Sequence, residues 1–529
     1  MLETSRGTRG MVVAPHHLAA QAGLRVLRDG GNAVEAMVAA AATIAVVYPH
    51  MNGLGGDCFW LIHDGGKVPV AIDACGAAAR LADMAFYKSS GLGTIPSRGP
   101  LAALTVAGAV SGWSAALDAA AVWGPALPLE RLFEDAVYYA RHGMAVTRAQ
   151  ANDTVAKEGE MGGSPGFAEH FLPGGSAPLE GNVFSQPAMA ETLERLARDG
   201  LDGFYRGALG ADIAADLEAA GSPLRWDDLE DHRARVVTPL SLRVKHGTLF
   251  NMPPPTQGVA SLIILGLYER LGAPAPDTFA FVHALVEASK QAFQVRDCEV
   301  TDPAFTSVDP ARYLDAARLD RLAAAVDRKR AMAFGGEKPG GDTVWLGAID
   351  GEGRAVSFIQ SLYWEFGSGV VLPQTGITWQ NRGTSFSLDA VAVNPLMPGR
   401  RPFHTIQPAL AMLSGGRIMP YGTMGGEGQP QTQAMIYARY VVHGMGLQAA
   451  VTAPRWLLGR TWGAETTNLR IENRFDDEVI ANLRNAGHDI DVVGPFDAVM
   501  GHAGALVRHA SGVIEGASDP RSDGGVAAF

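Results

Sequence analysis

Val344, Trp345, Leu346, Ala348 and Ile349 follow one another without the polar alternation that would leave one face of a strand in water. Such a strand is buried on both faces, so its sheet has to be covered on both sides. This restricts the chain to a layered fold in which helices or a second sheet close over each face. The stretch before it, Gly335-Gly336-Glu337-Lys338-Pro339-Gly340-Gly341, breaks regular structure and brings Asp342-Thr343 to the junction. If the bond between Asp342 and Thr343 were cut, Thr343 would carry a free α-amine beside its own hydroxyl, and such an amine is a recognised base for threonine. A threonine opening a strand is otherwise an ordinary strand former.

A chain of 529 residues can build several cores or one large layered domain. Its 43 Lys+Arg against 55 Asp+Glu give a net charge of -12 with no basic block, which argues against nucleic acid as a partner. Cys58, Cys75 and Cys298 form no CxxC pair and are expected as reduced thiols of a cytoplasmic protein. No membrane association is expected either. The segment Met1 to Arg6 lacks an apolar signal core, and the apolar run over 36–48 is too short to span a bilayer.

Residues 17–28 read as a helix stopped by Gly30-Gly31, after which Asn32 caps a second helix reaching Val47, with Glu35 completing a capping box. A turn over 52–57 leads into a strand over 58–63, joined through Gly65-Gly66 to a strand over 68–73. Residues 100–330 read as helical stretches between Pro/Gly loops, including Met252-Pro253-Pro254-Pro255 before an apolar helix over 260–271. Strands over 343–349 and 355–362 then flank the turn Asp350-Gly351-Glu352-Gly353. Helices outside sheets made largely of antiparallel hairpins fit this order.

Gly425-Gly426 precede a helix expected over 431–440. Adjacent glycines let backbone N–H groups approach a ligand, and a helix N-terminus adds positive potential, which suits an oxyanion hole; a tight strand-to-helix turn has the same pattern. Gly53 to Gly56 is no phosphate loop, because no Gly-Lys-Ser/Thr follows. His16, His17 and His50 lack partners at metal-ligand spacing, and Cys58 has no local histidine, so no metal is expected. Arg382 and Pro402-Phe403-His404-Thr405 fall in loops; the forked donors of an arginine suit a carboxylate, with a surface arginine as the alternative.

In order along the chain, Gly30-Gly31-Asn32-Ala33-Val34-Glu35-Ala36, Gly55-Gly56, Met252-Pro253-Pro254-Pro255, Thr343, Phe366-Gly367-Ser368-Gly369, Gly425-Gly426 and Ala517-Ser518-Asp519-Pro520-Arg521 carry a resemblance. The sequence resembles the γ-glutamyltransferase family of N-terminal nucleophile hydrolases over nearly its whole length. The resemblance implies an α+β fold of four layers, αββα, and a precursor that cuts itself between Asp342 and Thr343. A large subunit, 1–342, and a small subunit, 343–529, would together form one αββα domain, and pairing into a dimer of heterodimers stays open. Carried over, Thr343 is the nucleophile with its α-amine as base, Ser361 replaces a supporting threonine, and Gly425 with Gly426 form the oxyanion hole. No cofactor is implied.

The family's glutamyl clamp is largely missing. Ile72-Asp73-Ala74-Cys75 has a thiol where the family has an arginine. Tyr363 stands for an asparagine, Arg382 for a glutamine, Ser385 for an aspartate, and His404 and Thr405 for two serines. The anchor for an ammonium is gone, while Arg382 and His404 add donors for an anion. Asp342-Thr343-Val344-Trp345, Trp379-Gln380-Asn381-Arg382-Gly383 and the run from Met424 to Gln431 are most similar to the family's oxamate amidohydrolase branch. This implies a small anionic amide, oxamate, hydrolysed to oxalate and ammonia, with Arg382, His404, Thr405 and Tyr363 binding it between walls of Trp345, Tyr363 and Phe403. The other readings are a γ-glutamyltransferase or glutathione hydrolase, a cephalosporin-type acylase, and an unprocessed binding protein that kept only the fold.

Overall fold

The computed structural model describes residues 2–66, 68–335, 342–459 and 468–529, so Gly336 to Gly341 of the predicted loop lie outside the described residues. Two seven-stranded sheets lie face to face. The first runs in the order Gly525–Ala528, Gly10–Ala14, Asp342–Asp350, Ala355–Tyr363, Asp57–His63, Val70–Ala74, Arg235–Val237. The second runs Ser5–Gly7, Ile514–Ser518, Ala503–Arg508, Arg417–Thr423, Ala409–Leu413, Gly247–Asn251, Leu240–Val244. Neighbouring strands in the first sheet are antiparallel throughout, as the hairpin reading predicts.

Asp342–Asp350 is central and buried on both faces. Val344, Leu346 and Ala348 pack under the helices His17–Arg28 and Ala33–Val47, while Trp345 and Ile349 enter the core between the sheets. Asn32 caps the second helix with a full capping box, and all its residues are buried. Its many alanines let it lie close on the sheet, where a larger side chain would need space that a close-packed interior lacks. On the far side, Gly258–Arg270, Phe279–Glu299 and Gln429–Tyr437 cover the second sheet. The result is the αββα sandwich.

Both sheets draw strands from either side of residue 342. Asp342–Asp350 pairs with Gly10–Ala14 in the first sheet, and Ala409–Leu413 pairs with Gly247–Asn251 in the second. The segment expected to be helices and loops contains five strands that were not anticipated: the short pair Met144–Ala145 and Val183–Phe184, and Arg235–Val237, Leu240–Val244 and Gly247–Asn251. Leu240–Val244 alternates buried and exposed residues, a period-two signal in only five residues. The helix expected over 431–440 starts earlier, at Gln429, and beyond Tyr437 widens into a π-turn over Ala438–Val442.

Candidate active site

The register between Asp342–Asp350 and Ala355–Tyr363 slips at the start of the first strand. Asp342 faces Tyr363 and Val344 faces Gln360, so Thr343 lies opposite two residues, Ser361 and Leu362. A bulge of this kind re-aims the side chains beside it. Tyr363 takes a φ of 84°, a left-handed conformation that a bulky residue holds only where the surroundings impose it. Thr343 is buried, its Oγ1 lies 3.4 Å from Ser361 Oγ, and Ser361 Oγ accepts the Tyr363 N–H at 2.8 Å.

The second sheet meets this bulge where Arg417–Thr423 ends. Gly425 and Gly426 have φ of 113° and 51°, which only glycine adopts without strain, and the chain then enters Gln429–Tyr437 through a tight turn. Gln429 Nε2 donates to Thr343 Oγ1 at 3.4 Å. Gln257 Nε2 donates to Gly426 O at 2.8 Å and to Thr405 O at 2.6 Å. Gln257 Oε1 accepts from Arg296 at 3.1 Å, and Arg296 also pairs with Glu427 at 3.0 Å. The glycine turn is therefore fixed beside the threonine by buried side chains from two other segments, Gln257 and Arg296.

Arg382 is fully buried, with its guanidinium carbon 3.9 Å from the centre of the Tyr363 ring and Nη1 3.5 Å from Thr405 Oγ1. Its Nε and Nη2 have no hydrogen-bond partner among the described residues. Burial pushes its pKa down to about 10, with Tyr363 pulling the other way, so it stays charged at neutral pH. Burial pushes the Tyr363 phenol up to about 12 against the pull of Arg382. Arg401 makes the contrast clear, because its guanidinium is taken up by Asp73 and Asp302. Cys75, where the family has its arginine, is a buried thiol whose pKa burial raises well above the usual value.

His404 is in the same region, but its nitrogens are spent within the protein. Nδ1 lies 2.8 Å from Pro402 O and Nε2 lies 2.9 Å from Asp57 Oδ2. Asp57 Oδ1 accepts the N–H groups of Gly76 and Gly108 at 3.1 and 3.0 Å. Pro402 O can only accept, so Nδ1 carries a proton and the contact between Nε2 and Oδ2 needs another. Burial, then Arg382, lowers the His404 pKa, against the pull of Asp57 and Pro402. The expectation that His404 offers donors to an anion is thus corrected: both nitrogens are engaged.

The expected residues meet in a closed circuit of contacts. It runs from Thr343 to Ser361, Tyr363, Arg382, Thr405, Gln257 and Gly426, then through the adjoining turn to Gln429 and back to Thr343. Two expected pocket walls lie elsewhere. Trp345 fills the core between the sheets, donating to Ser357 Oγ at 2.9 Å, and a Cβ at Gly422 or Gly504 would come within 2.2 or 2.6 Å of its ring. Phe403 packs into the core under the outer helices of the second sheet. Both are large apolar side chains in the interior that their size favours, and only Tyr363 of the three reaches Arg382.

Asp57, Gln257, Arg296, Glu427 and Gln429 were not singled out from the sequence, since their partners are far away along the chain. One metal-type set was also missed. His283 and Glu287, one helical turn apart, meet His488 with ligand atoms within 4.8 Å. Those atoms are already engaged: His283 with His488 at 2.8 Å and Asp327 O at 2.7 Å, and Glu287 with Lys290 at 2.7 Å and Met332 N at 3.0 Å. The Lys290 charge also opposes a cation there.

Comparison with known proteins bears on the whole chain. The family described as Gamma-glutamyltranspeptidase matches residues 19–529. The oxamate amidohydrolase proenzyme of Klebsiella pneumoniae is 53% identical over 530 residues, covering 100% of both chains. The glutathione hydrolase-like YwrD proenzyme of Bacillus subtilis is 41% identical, covering 98% of each. The crystal structure of cephalosporin acylase from Bacillus halodurans is similar with a TM-score of 0.91 and 33% identity, over 100% of this chain and 97% of that one. With this fold, this circuit of residues and these matches, the chain belongs to the gamma-glutamyltranspeptidase family.

Proposed function

We propose that the chain cuts itself between Asp342 and Thr343 into subunits of residues 1–342 and 343–529, and that Thr343 then hydrolyses a small anionic amide, oxamate, to oxalate and ammonia. The observation that carries the substrate class is Arg382, a buried cation against the Tyr363 ring with two nitrogens that have no hydrogen-bond partner among the described residues. A buried charge without a partner is strongly destabilising, and a carboxylate matches the fork of a guanidinium. The relative that is 53% identical supplies the particular acid amide. Cys75, in place of a guanidinium, argues against a glutamyl group.

In this reading the Thr343 hydroxyl attacks the amide carbonyl while its α-amine, with a reference pKa of about 7.7–8.0, takes the proton. The N–H groups of Gly425 and Gly426 hold the oxyanion, and Arg382 holds the carboxylate. Ammonia leaves with a proton from the amine, and water then releases oxalate from the ester and restores the hydroxyl. The two subunits stay together because each sheet contains strands of both. The three cysteines, none in a disulfide, support a cytoplasmic location, which fractionation of the source cells would check.

The test is a side-by-side assay of ammonia release from oxamate and dye release from a γ-glutamyl anilide. Turnover of oxamate with little or none of the anilide is expected. Turnover of the anilide alone would remove the substrate assignment.

A further inference from the structure

Gln429 is a fully buried residue at the first turn of Gln429–Tyr437. Its amide orientation is settled by its neighbours. The Gln407 backbone N–H, which can only donate, lies 3.2 Å from Oε1, so the opposite arm, Nε2, is the one aimed at Thr343 Oγ1. Gln407 is itself held by Gln433, whose amide donates to Gln407 O at 3.1 Å and accepts from Gln407 Nε2 at 3.0 Å. The donor is thus mounted on a buried relay, and it lies three residues beyond Gly426 on one continuous turn.

We propose that Gln429 is a catalytic residue, donating its Nε2–H to Thr343 Oγ1 and stabilising the negative charge that builds on that oxygen. This rests on the reading of Thr343 as nucleophile. Charge develops there twice in the hydrolysis: when the hydroxyl gives up its proton to attack, and when the same oxygen leaves as water breaks the ester. Self-cleavage makes a similar demand under harder conditions, since the Thr343 nitrogen is then part of a peptide bond and cannot serve as an amine base. In that step Oγ1 bonds to the Asp342 carbonyl carbon, the C–N bond breaks, and the hydroxyl proton ends on the departing nitrogen. Water then hydrolyses the ester, leaving the Asp342 carboxyl group and the free Thr343 hydroxyl. A fixed donor on Oγ1 acts in each of these steps, and a preorganised donor in a dry site is worth far more than one in water.

The diagnostic variant is Gln429→Glu, which keeps the shape. When ionised, the introduced carboxyl can only accept and faces the oxygen with like charge; when protonated, it can donate as the amide does. Self-cleavage and ammonia release from oxamate are measured for this variant and the wild type from pH 8 to pH 5. The ratio of variant to wild-type rate is expected to rise at least about tenfold toward acid, the scale of one lost charge-assisted donor. Gln429→Met, which has no donor, is expected to be slowed at every pH with little change in KM. A ratio that does not vary with pH, whether near one or uniformly low, would overturn the proposal, the low value marking a packing role. If Gln429→Glu fails to fold, Gln429→Met decides alone, with wild-type kcat overturning the proposal and a kcat loss at unchanged KM supporting it. Activity surviving in Thr343→Ala would instead sink the nucleophile reading on which the proposal stands.

Discussion

The site has two ends, and they differ in how far the protein satisfies them. At the Thr343 end, the hydroxyl lies between Ser361 and Gln429, Ser361 also holds the Tyr363 N–H, and Gly426 is tied by Gln257. At the Arg382 end, a fully buried guanidinium has a ring beneath it and a long contact to Thr405, and two of its nitrogens are unpaired among the described residues. One end is complete without a ligand, and the other is the end that the proposed substrate would complete. The first resembles machinery shared across the family, while the second is where this chain departs from the family's pattern. In the proposed function, that division separates what reacts from what is recognised.

Substitutions at the two ends should therefore act in different ways. Thr343→Ala is expected to leave a single uncut chain on a denaturing gel and to lower ammonia release by about 10⁴-fold or more, the scale for a lost nucleophile. Arg382→Met is expected to raise KM for oxamate by about 10²-fold, the loss of a paired charge, with self-cleavage intact. The same change should raise the melting temperature of the unliganded protein, because it removes an unpaired buried charge. A lowered melting temperature would show that Arg382 already has its partner and would erase the contrast between the two ends.

Acid should weaken the fold that carries both ends, and two of the buried histidines responsible lie against the site's own loops. His50 O accepts the Phe366 N–H at 2.7 Å, and His502 O accepts the Met424 N–H at 3.1 Å, next to the glycine turn. Burial lowers the pKa of His50 to about 3 and of His502 to about 4. Below pH 6.5 the unfolded chain binds protons at these histidines that the folded chain refuses, so stability falls as the pH drops toward 4. The loss is about 1.4 kcal/mol per pH unit for each histidine. Urea unfolding at pH 7.5 and 5.5 measures it, and equal stabilities would count against the burial of these rings. The smallest effect is expected from Ser361→Ala, which should slow self-cleavage about tenfold by removing one hydrogen-bond partner of the nucleophile. A time course on gels reads it directly.

The parts of the fold legible in the sequence are those with strong local signals. The helices His17–Arg28 and Ala33–Val47 and the capping box at Asn32 match the sequence reading, as does the doubly buried strand at Thr343. Leu240–Val244 and Gly247–Asn251 were lost among helices because two five-residue strands offer little periodicity. Within the site, the residues of the glycine turn and Arg382 could be picked out by type and by resemblance. Gln257, Arg296 and Asp57 could not, because each acts through partners from distant segments that only the packed sheets bring together. Trp345 and Phe403 show the same limit in reverse: proximity in sequence to site residues says nothing about which face an aromatic ring takes.

The account depends most on Thr343 becoming a chain terminus. Intact-mass spectrometry of the purified protein tests this directly. Two chains are expected, with masses of residues 1–342 and 343–529, the second beginning at Thr343. A single chain of 529 residues that still releases ammonia from oxamate would contradict the account.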